Sequence, residues 1–124
     1  MKNFQIEKDA DGILLVTFDM PGRSMNVLNV GSMGEIAELT EMIKSDESIK
    51  GAVITSGKKA FCAGADLEEM SGNLMGAKAA MAKDPEGAKK ALFDNVYKLN
   101  QLFRDLETCG KPVAAALDLS LIHI

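Results

Sequence analysis

Phe61-Cys62-Ala63-Gly64-Ala65-Asp66-Leu67 is the stretch on which the reading of this chain turns. It follows the apolar run Ala52-Val53-Ile54 and leads into the helix-like Asp66-Leu67-Glu68-Glu69-Met70. Small residues in a strand-to-helix turn let a ligand approach the backbone closely. The N–H groups at the start of a helix have no internal partner, and they favour negative charge. Such a turn suits an oxyanion hole, in which pre-aimed backbone donors hold an enolate or a tetrahedral oxyanion. Ala-Gly-Ala alone is also what an ordinary glycine-containing turn requires.

Outward from this turn, the chain alternates strand and helix patterns. Phe4-Gln5-Ile6-Glu7 alternates apolar and polar residues, Asp9-Ala10-Asp11-Gly12 reads as a turn, and Ile13-Leu14-Leu15-Val16-Thr17-Phe18 reads as a more buried strand. Residues 3–18 therefore read as a hairpin. Met33, Ile36, Ala37, Thr40 and Ile43 recur at helical spacing, and residues 46–48 end that helix. Residues 51–55 form a short strand, parallel to its neighbours because a helix precedes it. Residues 56–65 are the loop carrying the opening motif. Residues 71–84 are rich in Gly, Ala and Met and weakly patterned, which predicts a mobile segment with a short helix.

Asp84-Pro85-Glu86 is a strong helix start, with a capping side chain, proline in the first turn and then an acid. Ala88, Leu92, Val96, Leu99, Leu102, Phe103 and Leu106 give a sustained apolar stripe, and Gly110 ends the helix. Residues 111–117, Lys-Pro-Val-Ala-Ala-Ala-Leu, read as a buried strand. The order ββαβααβ implies an α/β core with right-handed crossovers.

Composition limits the function classes. The chain has 124 residues, enough for one domain, and is 47% hydrophobic and 26% charged, as soluble globular proteins are. A net charge of −4 argues against non-specific nucleic-acid binding. With 5% aromatics and no Trp, stacking platforms for bases are not expected. The eight methionines are expected to fill core gaps. Cys62 and Cys109 lack CxxC spacing and nearby His partners, so no zinc or other metal site is expected. The N-terminus shows no signal-peptide h-region, and no apolar run approaches membrane-spanning length. A cytoplasmic protein with reduced thiols is the expectation.

Side chains offer little independent chemistry. Ser56-Gly57-Lys58-Lys59 lacks P-loop spacing, and Lys58 and Lys59 read as a solvated loop, with an anionic ligand at a pocket rim as the alternative. His123, the only histidine, gives no support to a Ser-His-Asp triad. Cys62 has no basic partner near it and reads as a small packed residue. Asp66 reads as a helix cap, and Glu68 and Glu69 read as a solvated helix face.

These signals gain force from their order. A hairpin is followed by Pro-Gly-Arg-Ser-Met-Asn-Val-Leu (residues 21–28) and a helix. Gly-Ala-Val-Ile-Thr-Ser-Gly (51–57), Ala-Phe-Cys-Ala-Gly-Ala-Asp-Leu (60–67) and Gly-Lys-Pro-Val-Ala-Ala-Ala (110–116) come next. This succession, from about residue 4 to 118, resembles the enoyl-CoA hydratase/isomerase (crotonase) superfamily. Residues 18–28 and 99–112 are most similar to the N-terminal hydratase region of multifunctional fatty-acid oxidation enzymes. The resemblance implies the N-terminal part of a crotonase-like α/β spiral of ββα units over residues 1–118, acting on an acyl-CoA thioester. By motif position Ala65 would supply the first oxyanion donor. The carbonyl of Ala63 would face the adenine of CoA, with Gly64 in the same turn. Asp66 and Leu67 would line the pocket, and Arg23, Ser24, Met25 and Asn26 would lie near the pantetheine or phosphates.

In that family a Gly-rich loop with the second donor and two glutamates follow Lys-Pro-Val-Ala-Ala-Ala-Leu-Asp. Here residues 119–124, Leu-Ser-Leu-Ile-His-Ile, stand in their place and read as an anomalous tail, the mark of a truncated or mis-joined frame. The resemblance thus implies a fragment of a β-oxidation hydratase, inactive alone. The hydratase step needs no cofactor, and NAD belongs only to the dehydrogenase domain of the multifunctional enzyme. The parent would be oligomeric or complexed with a thiolase subunit. Isomerisation, thioester hydrolysis and a non-catalytic acyl-CoA-binding or interaction module remain as alternatives.

Overall fold

A computed structural model describes residues 1–117. The expected tail at 119–124, with His123, lies outside the described residues. The elements are β1 (Phe4–Lys8), β2 (Ile13–Phe18), α1 (Val30–Ser45), β3 (Gly51–Ser56), α2 (Leu67–Lys83), α3 (Pro85–Glu107) and β4 (Val113–Ala115). Their order matches the ββαβααβ expectation.

The four strands form one sheet in the order β1-β2-β3-β4. β1 and β2 are antiparallel, whereas β2, β3 and β4 run parallel. Gly12 closes the hairpin with a positive φ of 83°, and its amide proton is donated to the Asp9 carbonyl. A side chain there would also meet the Ser48 carbonyl oxygen at 2.6 Å, so the turn needs glycine on two counts.

Period-two alternation in β2 sends Leu14, Val16 and Phe18 inward. Phe4 and Phe18 are cross-strand partners whose rings stack at 4.4 Å between centroids. Leu39 and Ile43 of α1 complete this core with Ile49 and Ala52. Asn29 and Ser32 form a reciprocal capping box that starts α1.

Three expectations need correction. Residues 71–84 are not a short helix in a loose segment, because α2 runs unbroken from Leu67 to Lys83. Asp66 caps its first turn, and its Ala, Met, Leu, Lys and Glu content outweighs Gly72 and Gly76. The strand expected over 111–117 shrinks to Val113–Ala115 and is half-buried to exposed rather than buried. It stands at the end of the described sheet and pairs only with β3.

The methionines divide between two environments. Met20 is in the core, but Met25, Met70, Met75 and Met81 are exposed. The last three lie on α2, which has no buried residue. The apolar stripe of α3 behaves alike, since Ala88 is its one buried residue while Leu92, Val96 and Phe103 remain open.

Burial of this kind separates sites that are costly to change from sites that are not. Ile43→Ala, at a position with no solvent exposure, should destabilise the chain by about 2–5 kcal/mol in urea unfolding. Leu74→Lys, at a residue 70% exposed on α2, should change stability by no more than about 0.5 kcal/mol.

Candidate active site

Strand ends and loops converge beside the 61–67 turn. The β2–α1 loop is held there by Asn26, which is entirely buried. Its Oδ1 accepts from the Met20 N–H at 3.0 Å. Its Nδ2 donates to the carbonyls of Phe18 (2.7 Å) and Phe61 (3.1 Å) and to Ser56 Oγ (3.0 Å). One amide therefore joins the end of β2, the end of β3 and the opening motif. The backbone adds a further link, the Ala63 N–H donating to the Asn26 carbonyl at 2.8 Å.

The turn itself is aimed by a single parallel bridge between Leu28 and Ala65. Leu28 donates its N–H to the Gly64 carbonyl at 2.7 Å and accepts from the Asp66 N–H at 2.9 Å. These bonds use the peptide groups on either side of Ala65. By strand alternation, the N–H and C=O of Ala65 itself then point away from Leu28. Neither the Ala65 N–H nor the Ala63 carbonyl has a hydrogen-bond partner among the described residues. Gly64 makes the turn possible with φ at 97°, and open space surrounds the position where a Cβ would stand. Glycine is needed there for its backbone conformation and not for room.

Asp66 is the cap that the sequence suggested. Its carboxylate accepts from the Glu68 and Glu69 N–H groups and pairs with Arg23 Nη2 at 2.8 Å. The Glu69 amide is the main force holding its pKa below the usual aspartate value. Burial opposes this, and the Arg23 charge, the Glu68 amide and the Arg23 hydrogen bond add to it.

The other expected site residues fall into place around this pair. Ser24 and Met25 are exposed in the same loop as Arg23, and Leu67 is exposed at the first position of α2. Asn26 has its amide fully engaged inside the protein, so it shapes the loop from within. Cys62 is half-buried against the core, as a packed residue should be.

Lys58 and Glu69 depart from the solvated roles expected of them. The side chain of Lys58 is only 11% exposed, and its Nζ pairs with Asp19 at 2.9 Å and donates to the Arg23 carbonyl at 2.6 Å. Glu69 accepts from the Val30 N–H at 3.1 Å, at the start of α1, a helix with no acid of its own in the first turn. Ser56 was missed altogether. Its Oγ donates to the Ala60 carbonyl at 2.7 Å and accepts from the Lys58 N–H and from Asn26. Partners 30 or more residues away leave no local pattern from which Asn26 to Ser56 or Glu69 to Val30 could be read.

A cavity of about 470 Å³ lies between the sheet and the helices α1 and α3. Val16, Phe18, Ile36, Ile54 and Leu106 are among its walls, and the turn reaches it only through Phe61 and Cys62. Its lining is almost wholly apolar, so it offers no converging polar groups for chemistry. No group of three or more potential metal ligands occurs among the described residues.

The depressed Asp66 pKa fixes the sign of a pH effect. Its stabilising contribution is complete above the unfolded value of 3.8 and is lost as pH falls through the lower folded value. The amide signals of Glu68 and Glu69 should therefore report loss of the cap only at strongly acidic pH, and Asp66→Asn should flatten that titration.

The comparisons agree with the fold and with its order of motifs. The Enoyl-CoA hydratase/isomerase profile matches residues 8–118. The fatty acid oxidation complex subunit alpha of Shewanella oneidensis is 37% identical over 117 residues, covering 94% of this chain and 15% of that protein. The subunit of the same name from Pseudomonas syringae pv. tomato is 33% identical over 107 residues, covering 86% of this chain and 13% of that protein. This chain thus spans about one-seventh of the length of these curated relatives. An enoyl-CoA hydratase/isomerase from Marinobacter aquaeolei superposes with a TM-score of 0.72 at 22% identity, over 94% of this chain and 41% of that one. An enoyl-CoA hydratase from Shewanella pealeana gives 0.71 at 21% identity, over 93% and 38%. At those identities the structures speak for the fold, a partial crotonase fold. The profile match across most of the sequence carries the assignment: this chain belongs to the enoyl-CoA hydratase/isomerase family.

Proposed function

We propose that this chain provides the first half of a thioester-binding site for hydration of a trans-2-enoyl-CoA in fatty-acid β-oxidation. The observation that carries this reading is the Ala65 N–H, turned outward by the bridge to Leu28 and lacking an acceptor among the described residues. When water adds at the β-carbon, negative charge develops on the thioester oxygen. A fixed backbone donor stabilises that charge without reorganising during the reaction. The free Ala63 carbonyl and the exposed Ser24 and Met25, next to Arg23 in the β2–α1 loop, would receive the CoA portion. Asn26 would contribute by holding that loop, and Asp66 and Leu67 would border the pocket.

The proton transfers belong to two glutamates acting as general base and acid. In the family these residues and the second donor come from the region after the segment equivalent to 111–118. The 124-residue chain alone would then bind enoyl-CoA without hydrating it. No cofactor takes part in the hydration step, and NAD belongs to a separate dehydrogenase domain in a longer parent. That parent would be oligomeric or joined to a thiolase subunit, in keeping with relatives named as subunits of a fatty acid oxidation complex. The free thiols Cys62 and Cys109 suit a reducing compartment such as the cytoplasm.

The test is to titrate isotopically labelled chain with crotonyl-CoA, following backbone amides by NMR and hydration by the loss of enoyl absorbance. The Ala65 amide should shift on binding, with no turnover. An Ala65 signal that stays still at saturating ligand would refute the site, and measurable hydration would refute the assignment of proton transfer to an additional segment. Gly64→Ala, which forces a side chain into the left-handed region, should cost about 1–2 kcal/mol of stability and abolish the Ala65 response in the folded variant.

A further inference from the structure

Asp66 creates an electrostatic difficulty for any anion held at Ala65. It places a buried carboxylate one residue from the outward N–H, on the side from which the positive end of α2 would otherwise act. A like charge next to the donor would oppose a developing enolate. Arg23 answers the difficulty, its Nη2 lying 2.8 Å from Asp66 Oδ2. Arg23 is itself held, because Lys58 donates to its carbonyl and pairs with Asp19. Gly57 lets Asp19 come that close, since a Cβ there would sit 2.8 Å from an Asp19 carboxylate oxygen. A chain of contacts therefore runs Asp19, Lys58, Arg23, Asp66 to the α2 start, crossing between the β2–α1 and β3–α2 loops.

We infer that Arg23 is a positioning residue that acts through Asp66. It neutralises the carboxylate beside the donor and pins the Asp66 end of the bridge that turns the Ala65 N–H outward. The neutralisation rests on the thioester reading above, whereas the pinning does not. Arg23 Nη2 is thus engaged by Asp66, a different task from holding CoA phosphates.

Arg23→Ala, Arg23→Lys and the unaltered chain separate these roles. Amide hydrogen exchange should show the Leu28 and Asp66 N–H groups of Arg23→Ala exchanging about fivefold faster, while Val16 in β2 keeps its protection. Arg23→Lys should recover most of the difference. Unchanged exchange at Leu28 and Asp66, or an equal acceleration at Val16, would overturn the inference, because a general loss of stability moves all three together.

Binding supplies the second readout. Arg23→Ala should weaken crotonyl-CoA about fivefold and leave free CoA, which has no thioester carbonyl, within about twofold. Equal weakening of both ligands would mean direct contact with the CoA portion and would overturn positioning. If the unaltered chain binds neither ligand, the thioester reading fails, and hydrogen exchange alone decides whether Arg23 pins the turn.

Discussion

The buried amide of Asn26 is the interaction on which the arrangement of this chain depends. Four hydrogen bonds leave one fully enclosed side chain and reach the ends of two strands and the start of the 61–67 turn. A buried amide is costly unless its donors and acceptor are met, and here all are. That requirement ties the three segments together, because each must present its polar group to the same amide. Leu28, two residues on, then meets Ala65 in register. The donor direction at Ala65 is therefore a consequence of how Asn26 is satisfied.

Much of the scaffold could be read from periodicity. The alternation in residues 4–18 and the spacing of Met33, Ile36, Thr40 and Ile43 identify the hairpin and α1 because both elements rest on the core. The unbroken length of α2 escaped for the opposite reason. The helix has no buried face, so little selective pattern marks it, and its helicity rests on the Asp66 cap and on residue propensity. The stripe along α3 was legible, but periodicity tells which residues share a face and not whether anything covers that face. Residues 111–117 misled similarly, since an apolar run does not distinguish an interior strand from one at the end of a sheet.

The candidate site divides along the same line. The Ala63-Gly64-Ala65-Asp66 turn was visible because glycine between a strand and a helix has a local conformational cause. Its partners were not. Arg23 lies 43 residues before Asp66, Asn26 lies 35 before Phe61, and Glu69 lies 39 after Val30. Pairing at such distances follows from topology, which brings the β2–α1 and β3–α2 loops together at the same ends of parallel strands.

A backbone donor works only as well as the peptide units around it are fixed. On one side, Ala65 is tied through Gly64, Ala63 and Phe61 to a buried network. On the other it leads into α2, the least buried helix, with Leu67, Leu74 and Met75 open to solvent. Packing therefore does little to steady that second side. The Asp66 N–H to Leu28, the Asp66 cap and the Arg23 pair are the interactions that do so. Each is polar, and each is local to the turn. The orientation of the donor is thus insulated from whatever covers the exposed faces of α2 and α3, so apolar residues there can change without re-aiming the N–H at Ala65.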